Sequence, residues 1–431
     1  MNKIKFVTAF ILTACQCFAQ QTDVRVNPEL GDEISCSDIS ATDYKDYPFL
    51  SLADNHIKLN GANWSRLKTA FDNSKSSVVS VLHIGDSHIQ AEGSTSRTRY
   101  RLQERFGRAG RGLTAPLRIA GTNAPMDYKI ASECNFKTSR LLKTPYDTQP
   151  GFTGVAVEPL TEVFDISISC GDAFDSLCIF ATGESSVEVD SASPDVLAGV
   201  LSASAGLTDV LLTKPVSSLT LRMRAVSGTA ITAIELMHGN HGVEYSAIGN
   251  NGATYAHYDA LEGFAENTRH MHPDLIIISL GTNEAFGRVS DDELRMHIES
   301  LINKLRMYNP DATMLLTTPQ ECYRRSRTRQ RKRRSSSYAI NPNINRMRNI
   351  ITEYGVKNHI AVYDWYAASG GYGSASEWLS HRMMNTDRVH LTWDGYHIMG
   401  DMLADALLEK LATIQPNKDK TAGDESAIRH K

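Results

Sequence analysis

The sequence predicts an α/β domain with a mostly parallel sheet covered on both faces, interrupted by an inserted β-sandwich. On both sides of the middle region, β-branched strands alternate with amphipathic helices, which is typical of parallel sheets. Between about residues 120 and 245, short alternating segments are separated by Gly, Ser, Pro and Asp, which favours an antiparallel sandwich. Because the α/β pattern then resumes, we expect the sandwich to be an insertion within one domain.

The individual α/β elements follow from the spacing of apolar residues. A first helix is predicted around 63–71, and a β-branched strand over 78–84 stops at Gly85. A helix over 89–106 and a Gly-rich turn over 107–112 follow. After the insert, the predicted elements are a strand at 275–280, a helix with apolar residues at 294, 298, 301, 302 and 305, a strand at 313–317, a helix at 343–354, a strand at 360–363 and a terminal helix with an apolar face over 398–411.

These patterns divide the chain into six expected segments. They are a leader over 1–19, an N-terminal segment over 20–75 that packs on the α/β domain, the first part of that domain over 76–120, the inserted β-sandwich over 121–245, the second part of the domain over 246–414, and a polar tail over 415–431.

The composition is that of a folded protein. Hydrophobic residues make up 41% of the 431 residues and charged residues 22%, so the chain can bury real cores. The 45 basic and 49 acidic residues give a formal net charge of −4, which argues against a generic nucleic-acid binder.

The first twenty residues have the pattern of an export signal. Lys3 and Lys5 precede an apolar run over 6–12, and Ala19 ends a small-residue cleavage site. That run is too short to cross a bilayer, and no later stretch reaches ~18 apolar residues. A competing interpretation is a lipobox, in which Cys15 is lipidated. Either interpretation predicts export, to the periplasm, the outer membrane or the exterior.

Cysteine does not indicate the chemistry. Cleavage after Ala19 leaves five cysteines, an odd number whose spacing matches no zinc pattern. Cys170 and Cys178 lie on neighbouring apolar segments, and they either pair across a hairpin or remain buried free thiols. The remaining three are Cys36, Cys134 and Cys322.

The first strong strand ends in Gly85-Asp86-Ser87, directly before a predicted helix. This arrangement lifts a hydroxyl out at the edge of the sheet, beside backbone N–H groups of a helix N-terminus that can stabilise an oxyanion. The alternative is that Ser87 is only a helix N-cap. The motif is short and common, so by itself it favours neither.

A serine nucleophile needs a base and an orienting acid, and two Asp-x-x-His segments near the terminal helix supply both. Asp387 and His390 lie in the loop just before the helix. Asp394 and His397 begin the helix, where Asp394 has a ready role as a cap and His397 would be partly exposed. The first pair is therefore favoured.

Two further strand ends fit an oxyanion site. Asn283 follows the strand at 275–280, and its side-chain amide either donates to developing negative charge or holds a tight turn. The segment 248–254 offers the backbone N–H groups of Gly249 and Gly252, or forms a plain turn. Four such signals at strand ends, in this order, together indicate one site.

These motifs resemble those of the SGNH (GDSL-type) hydrolases, a family of serine esterases on a flavodoxin-like three-layer α/β fold. The resemblance implies Ser87 as the nucleophile. The glycine of the second block fits best at Gly252, with Gly249 as a nearby rival. Gly281-Thr282-Asn283 matches the third block, and Glu284 stands where many members have Asp.

The last family block commonly reads Asp-Gly-x-His, with Gly-Tyr five residues beyond the histidine. Asp387, His390 and Gly395-Tyr396 match this block, which selects the first Asp-x-x-His pair, and Arg388 replaces the usual glycine. The resemblance covers about 76–120 and 246–412. It implies an oxyanion hole made by Ser87, Gly252 and Asn283, and it implies no metal or organic cofactor.

A narrower resemblance concerns the substrate. His88 follows Ser87, and a β-rich insert separates the first two blocks, as in secreted peptidoglycan O-acetylesterases, whose insert resembles a carbohydrate-binding jelly roll. This resemblance implies removal of O-acetyl groups from a glycan, although the insert could equally be a lid or a docking surface. The rival functions are a lipase or thioesterase, a non-catalytic glycan-binding scaffold, and acetyl transfer to another sugar.

A run of basic residues over 324–334, from Arg324 to Arg334, follows the strand at 313–317 and is predicted to lie on a loop near the same sheet edge. It is either a solvated charge run or an attraction site for an anionic envelope polymer. Export from the cytoplasm lowers the weight of nucleic acid as the partner.

Overall fold

The computed structural model describes residues 42–146, 148–182, 186–202, 206–330 and 333–415. The predicted leader, the lipobox at Cys15, Cys36 and most of the polar tail lie outside these ranges. Within them, no helix combines the length and the apolar character needed to cross a membrane.

Seventeen strands are assigned within these ranges. In chain order they are β1 (Ile57–Lys58), β2 (Val78–Gly85), β3 (Gly110–Thr114), β4 (Tyr128–Ala131), β5 (Phe136–Arg140), β6 (Val155–Pro159), β7 (Val163–Ala181), β8 (Glu188–Ser193), β9 (Leu197–Ser202), β10 (Leu207–Arg224), β11 (Ile231–Met237), β12 (Gly242–Gly249), β13 (Leu275–Ser279), β14 (Thr313–Thr317), β15 (Tyr323–Gln330), β16 (Arg333–Ile340) and β17 (Ala361–Tyr363).

Eleven α-helices are assigned within the same ranges. They are α1 (Ser65–Asp72), α2 (Ser87–Gln90), α3 (Gly93–Phe106), α4 (Tyr255–Ala260), α5 (Phe264–Asn267), α6 (Thr282–Phe286), α7 (Asp291–Tyr308), α8 (Asn343–Lys357), α9 (Trp365–Ala368), α10 (Ser374–Ser380) and α11 (Trp393–Thr413).

The first sheet has six strands in the order β1-β17-β14-β13-β2-β12. Every pair in it is parallel except the edge pair of β1 and β17. The five parallel strands, numbered along the chain and read inward from β12, have the order 2-1-3-4-5 of flavodoxin-like folds. The predicted flavodoxin-like α/β fold is confirmed.

Both faces of this sheet are covered, because side chains of a strand alternate between its two sides. In β2, Leu82 and Ile84 pack in a core with α7 and α8, whereas Val79 and Val81 pack in a second core with α11. All four side chains are fully buried. The result is three layers, with the sheet in the middle.

The second sheet contains nine antiparallel strands, β3 to β11, and has its own apolar core. Its longest strands are β7 and β10, which pair along most of their length with shifts in register. β7 runs over Val163–Ala181, which is longer than the short segments that the sequence predicts for this region. The β-rich insertion is confirmed, and its exact boundaries stay a prediction.

The second half of the Gly-rich segment predicted as a turn, residues 110–112, is instead the start of β3, which pairs with β11. A Cβ atom at Gly110 would lie 2.5 Å from the carbonyl oxygen of Leu236, and one at Gly112 would lie 2.6 Å from Ser246 Oγ. Both glycines have positive φ, at 108° and 82°. They therefore serve close approach of β3 to its neighbours rather than a change of direction.

The helix predicted over 89–106 is divided into α2 and α3. Glu92 stands between them with φ at 56°, which ends the short first helix. Its carboxylate lies in a buried cluster, where Arg111 of β3 donates to Glu92 Oε2 at 2.7 Å and to Asp127 Oδ2 at 3.2 Å. This cluster joins the connection between α2 and α3 to the second sheet.

The course of β7 decides whether Cys170 and Cys178 form a disulfide. Cys170 and Cys178 lie eight residues apart on that one strand, about 26 Å at the usual rise per residue, whereas the Cα atoms of a disulfide lie within about 7 Å. Both are buried thiols outside any disulfide, so the pairing across a hairpin was wrong.

The sequence predicts that the basic run lies on a loop, but the structure places it on the antiparallel hairpin β15–β16. In this hairpin Tyr323 pairs with Ile340 and Gln330 pairs with Arg333. The backbones of β15 and β16 therefore hydrogen-bond to each other. The side chains of residues 326–336 lie outside the description.

Candidate active site

The site is built on the carboxyl ends of three adjacent strands. β2 lies between β12 and β13, and its last residue, Gly85, is in register with Gly249 on one side and Ser279 on the other. The segments that follow these strands meet at one edge of the sheet. This is also the point where the strand order reverses, which is where ligands bind in open α/β sheets.

Ser87 is the first residue of α2, and the N-cap is Asp86, whose side chain accepts a hydrogen bond from the His88 N–H at 2.9 Å. The capping role considered for Ser87 is thus filled by its neighbour. Gly85 allows this tight entry to the helix, because a Cβ atom there would lie 2.2 Å from Ile89 Cγ1 and 2.9 Å from the Ser279 carbonyl oxygen.

Ser87, His390 and Asp387 form a continuous chain of hydrogen bonds. His390 Nε2 lies 2.8 Å from Ser87 Oγ, and His390 Nδ1 lies 2.7 Å from Asp387 Oδ2. The two ring nitrogens thus have different partners. With Nδ1 donating to the carboxylate, Nε2 accepts from the serine hydroxyl, which is the tautomer a general base needs.

The charges of the pair reinforce this arrangement. Burial disfavours the charged imidazole, but the hydrogen bond and the charge of Asp387 outweigh it and raise the pKa of His390 above its usual value. Burial also disfavours the charged carboxylate of Asp387, yet the hydrogen bond and the charge of His390 lower its pKa to about 2. At neutral pH the acid is therefore ionised beside its histidine.

The turn that carries this pair is held by its own backbone. Asp387 Oδ1 accepts from the N–H groups of Val389 at 2.9 Å and His390 at 3.0 Å, which fixes the carboxylate with its second oxygen toward the imidazole. The Asn385 N–H donates to the His390 carbonyl oxygen at 2.8 Å and closes the turn.

The second Asp-x-x-His pair, Asp394 and His397, lies in the first turns of α11. The N-cap of α11 is Thr392, whose Oγ1 accepts from the Gly395 N–H at 3.3 Å, so the cap role expected for Asp394 was wrong. Asp394 is exposed in the first turn of the helix, and the half-buried ring of His397 lies 5.0 Å from that of Trp393.

Asn283, at the start of α6, reaches across to the serine loop. Its Nδ2 lies 3.2 Å from Asp86 Oδ2 and 3.0 Å from the carbonyl oxygen of Ala253, the residue after Gly252. Burial raises the pKa of Asp86 to about 6. The amide thus lies between the segments of Ser87 and Gly252, and the role of Asn283 as an oxyanion donor stays a prediction.

The two glycine candidates differ in their surroundings. Gly249 ends β12, and a Cβ atom there would lie 2.2 Å from the Gln90 backbone nitrogen, so packing against α2 accounts for this glycine. Gly252 lies in the turn beyond the strand with φ at 84°. Close packing thus explains Gly249 without a role in chemistry.

Sequence reasoning missed the residues that the second sheet contributes to the site. Gln90 Oε1 accepts from the Asn251 N–H at 2.7 Å, and its Nε2 donates to the Asn123 carbonyl oxygen at 2.8 Å. Leu142 packs on Gly252, where an added Cβ atom would lie 2.9 Å from Leu142 Cδ2. No local motif marks these residues, because their contacts join segments that are distant in sequence.

Comparison with known proteins gives a fold and, for part of the chain, a similarity to one family. Residues 228–398 match the model of the GDSL-like Lipase/Acylhydrolase family, a range that includes His390, Asp387 and Asn283 but begins after Ser87. No curated protein matches the sequence closely enough to count as a relative.

Among solved structures, one described as a peptidoglycan O-acetylesterase in action is similar over 83% of this chain and 99% of that chain, with a TM-score of 0.68 and 18% identity. A lipase/acylhydrolase from Enterococcus faecalis covers 41% of this chain and 80% of its own, with a TM-score of 0.29 and 19% identity. An acetyl xylan esterase covers 40% and 82%, also with a TM-score of 0.29 and 19% identity.

The first of these similarities extends over most of this chain and almost all of the other, and it shows that the two proteins share a fold. Together with the family-model match over residues 228–398 and the flavodoxin-like strand order, it shows that the chain has the SGNH hydrolase fold and that its second part is similar to the GDSL-like Lipase/Acylhydrolase family.

Proposed function

We propose that this protein is an exported serine esterase that removes O-acetyl groups from a glycan, with peptidoglycan as the first substrate to test. Ser87 is the nucleophile, His390 the base and Asp387 the orienting acid. The observation that carries the proposal is the chain of hydrogen bonds from Ser87 Oγ through His390 to Asp387, at 2.8 and 2.7 Å.

In the first half of the reaction, Ser87 Oγ attacks the ester carbonyl carbon, and its proton passes to His390 Nε2. The N–H groups of Ser87 and Gly252 and the amide of Asn283 stabilise the oxyanion of the tetrahedral intermediate. His390 then gives its proton to the leaving sugar oxygen as the C–O bond breaks, which leaves Ser87 acetylated.

In the second half, water attacks the acetyl-enzyme and gives its proton to His390. Collapse of the second tetrahedral intermediate returns that proton to Ser87 Oγ and releases acetate. Asp387 stays ionised throughout, since it stabilises the imidazolium without taking the proton.

Two observations support the substrate and the compartment. The fold is shared over 83% of this chain with a protein described as a peptidoglycan O-acetylesterase. Asn123 and Leu142, in segments that flank strands of the second sheet, contact Gln90 and Gly252. The pattern of Lys3, Lys5 and the apolar run over 6–12 is typical of an export signal.

The test compares the mature protein with Ser87→Ala for acetate release from O-acetylated peptidoglycan and from acetylated xylan. Ser96→Ala is the matched control, because this half-buried serine lies on the neighbouring helix α3. We expect release from peptidoglycan that Ser87→Ala abolishes and Ser96→Ala leaves intact.

Three results would contradict the proposal at different points. Cleavage of 4-nitrophenyl acetate without release of acetate from either glycan would refute the substrate assignment but would still support the esterase chemistry. A preference for long acyl chains would favour a lipase. Full activity of Ser87→Ala would refute the assignment of the nucleophile.

A further inference from the structure

An arginine occupies a strained position in the turn that holds the acid and the base. Arg388 lies between Asp387 and Val389 with φ at 62°, a left-handed conformation that side chains with a Cβ atom rarely adopt. The family resemblance places a glycine here, which adopts this conformation freely. An arginine at this position therefore needs contacts that compensate for the strain.

Those contacts come from the base of the hairpin β15–β16. The Arg388 guanidinium carbon lies 4.3 Å from the centre of the Tyr338 ring and 5.3 Å from that of Tyr323, within the range of cation–π attraction. The Tyr323 N–H also donates to the Arg388 carbonyl oxygen at 3.0 Å. Both strands of the hairpin thus contact the turn that carries Asp387 and His390.

The hairpin is strongly basic in an otherwise acidic chain. Residues 322–342 contain eight basic residues and no Asp or Glu, although the whole chain has a net charge of −4. Arg324 and Arg325, at its base, are exposed. Exposed positive charge attracts ligands of the opposite charge and raises their local concentration.

We infer that the hairpin β15–β16 is a binding arm for a carboxylate-bearing glycan, and that Arg388 is a positioning residue that ties this arm to the catalytic turn. The inference rests on the proposed function, since the polymer that carries the acetyl ester is the ligand of the arm. Peptidoglycan fits this chemistry, because its peptide stems carry carboxylates. The arm holds the polymer beside His390, and the Arg388 contacts keep the two in a fixed relation.

Binding by the arm is tested with a variant that removes four charges from β15 and keeps its backbone. The substitutions are Arg324→Ser, Arg325→Ser, Arg327→Ser and Arg329→Ser. The matched control removes four exposed charges elsewhere, so that the net charge changes equally. Its substitutions are Lys143→Ser, Lys214→Ser, Arg306→Ser and Lys357→Ser.

The probes are polygalacturonate, a polysaccharide with one carboxylate per sugar, and double-stranded DNA, each measured at low and moderate salt. We expect the affinity for polygalacturonate to fall about tenfold in the hairpin variant and less than twofold in the control. The salt dependence should become flatter, because fewer ion pairs form. An equal loss in the control would overturn the inference. So would a loss for DNA with none for polygalacturonate.

The role of Arg388 is tested with Arg388→Gly, which keeps the left-handed backbone and removes both ring contacts. Arg382→Gly is the matched control, since Arg382 is exposed and also has positive φ, at 59°. On O-acetylated peptidoglycan we expect Arg388→Gly to lower kcat about fivefold with KM within twofold, because the arm still binds the polymer but no longer presents it. Identical kinetics of the two glycine variants would refute the positioning role.

The proposed function and the binding arm can be refuted independently of each other. Polygalacturonate binding needs no catalysis, so it tests the arm even if peptidoglycan releases no acetate. Conversely, acetate release that depends on Ser87 but is unaffected in the hairpin variant would leave the proposed function intact and exclude the arm.

Discussion

The ring of His88 lies against the ring of His390, with centroids 5.2 Å apart and an interplanar angle of 36°. His88 is the residue that follows Ser87, and its Nδ1 lies 3.1 Å from the hydroxyl of Tyr396 on α11. Burial, together with repulsion from a charged His390, lowers the pKa of His88 to about 3. A neutral His88 ring thus packs against His390 without adding a charge beside it.

Replacing His88 with Ala is expected to lower kcat/KM for 4-nitrophenyl acetate about tenfold, or ~1.4 kcal/mol, because the His390 ring loses the surface that holds its orientation. Tyr396→Phe keeps the packing and removes only the hydrogen bond, so it should cost less than threefold. Equal losses in the two variants would mean that the hydrogen bond, rather than ring packing, orients the site.

The pH profile should report His390. Only the neutral imidazole accepts the Ser87 proton, and its raised pKa places the acid limb of kcat/KM above the usual histidine value. In Asp387→Asn the partner charge is lost, so the pKa of His390 falls and the acid limb moves to lower pH. The maximal rate should fall by about 10⁴, as in other triads that lose the acid.

Asparagine is the suitable replacement because its carbonyl oxygen can still accept from the N–H groups of Val389 and His390. The measurement is kcat/KM for 4-nitrophenyl acetate between about pH 4 and 9, a range in which His88, with its low pKa, does not titrate. An acid limb that stays in place would show that a group other than His390 controls it.

Asn283 is expected to act on the transition state. Asn283→Ala should lower kcat by about 10²–10³ with little change in KM, because an oxyanion donor binds charge that develops only during the reaction. Glu284→Gln is the matched control one residue along the same helix. Burial raises the pKa of Glu284 to about 7, and Gln can keep the bond that Glu284 Oε1 accepts from the Tyr255 N–H.

A raised KM with unchanged kcat in Asn283→Ala would instead assign the amide to ground-state binding of the substrate. Thermal unfolding of both variants should accompany the kinetics, since Asn283 also contacts Asp86 and the Ala253 carbonyl oxygen.

The parts of this site that the sequence predicts are those that local patterns encode. Strand-end motifs place Ser87 and Asn283, and the sheet topology then brings them together, since carboxyl ends of parallel strands share one edge. His390 and Asp387 are recognisable as a pair because three residues of a turn suffice to present both.

The contacts that escaped sequence analysis depend on tertiary packing. Gln90 bonds to Asn123 and Asn251, which are 33 and 161 residues away, and no periodicity carries that information. Gly110 and Gly112 have the composition of a turn, and only the proximity of β11 and β12 explains them as strand residues. Arg388 is visible in the sequence as a departure from the family pattern. Its contact with the Tyr338 ring depends on the hairpin β15–β16, and the sequence predicted a loop there because of its basic residues.

Leu142 offers a test of how the second sheet shapes substrate choice. Its side chain packs on Gly252, at the turn of the proposed oxyanion hole, and it is 41% exposed, so it borders open space at the site. Leu142→Ala should enlarge the space for the acyl group and raise the propionate-to-acetate ratio of kcat/KM for 4-nitrophenyl esters about tenfold, since each methylene admitted to an apolar pocket contributes ~1–3 kcal/mol.

Leu160→Ala is the matched control for this prediction, because Leu160 is an exposed leucine that follows β6 of the same sheet, at 57% exposure. Its ratio should stay within twofold of the unsubstituted protein. If Leu142→Ala behaved in the same way, Leu142 would not limit the acyl chain. A preference for acetate would then have to arise from the first sheet and the Ser87 loop alone.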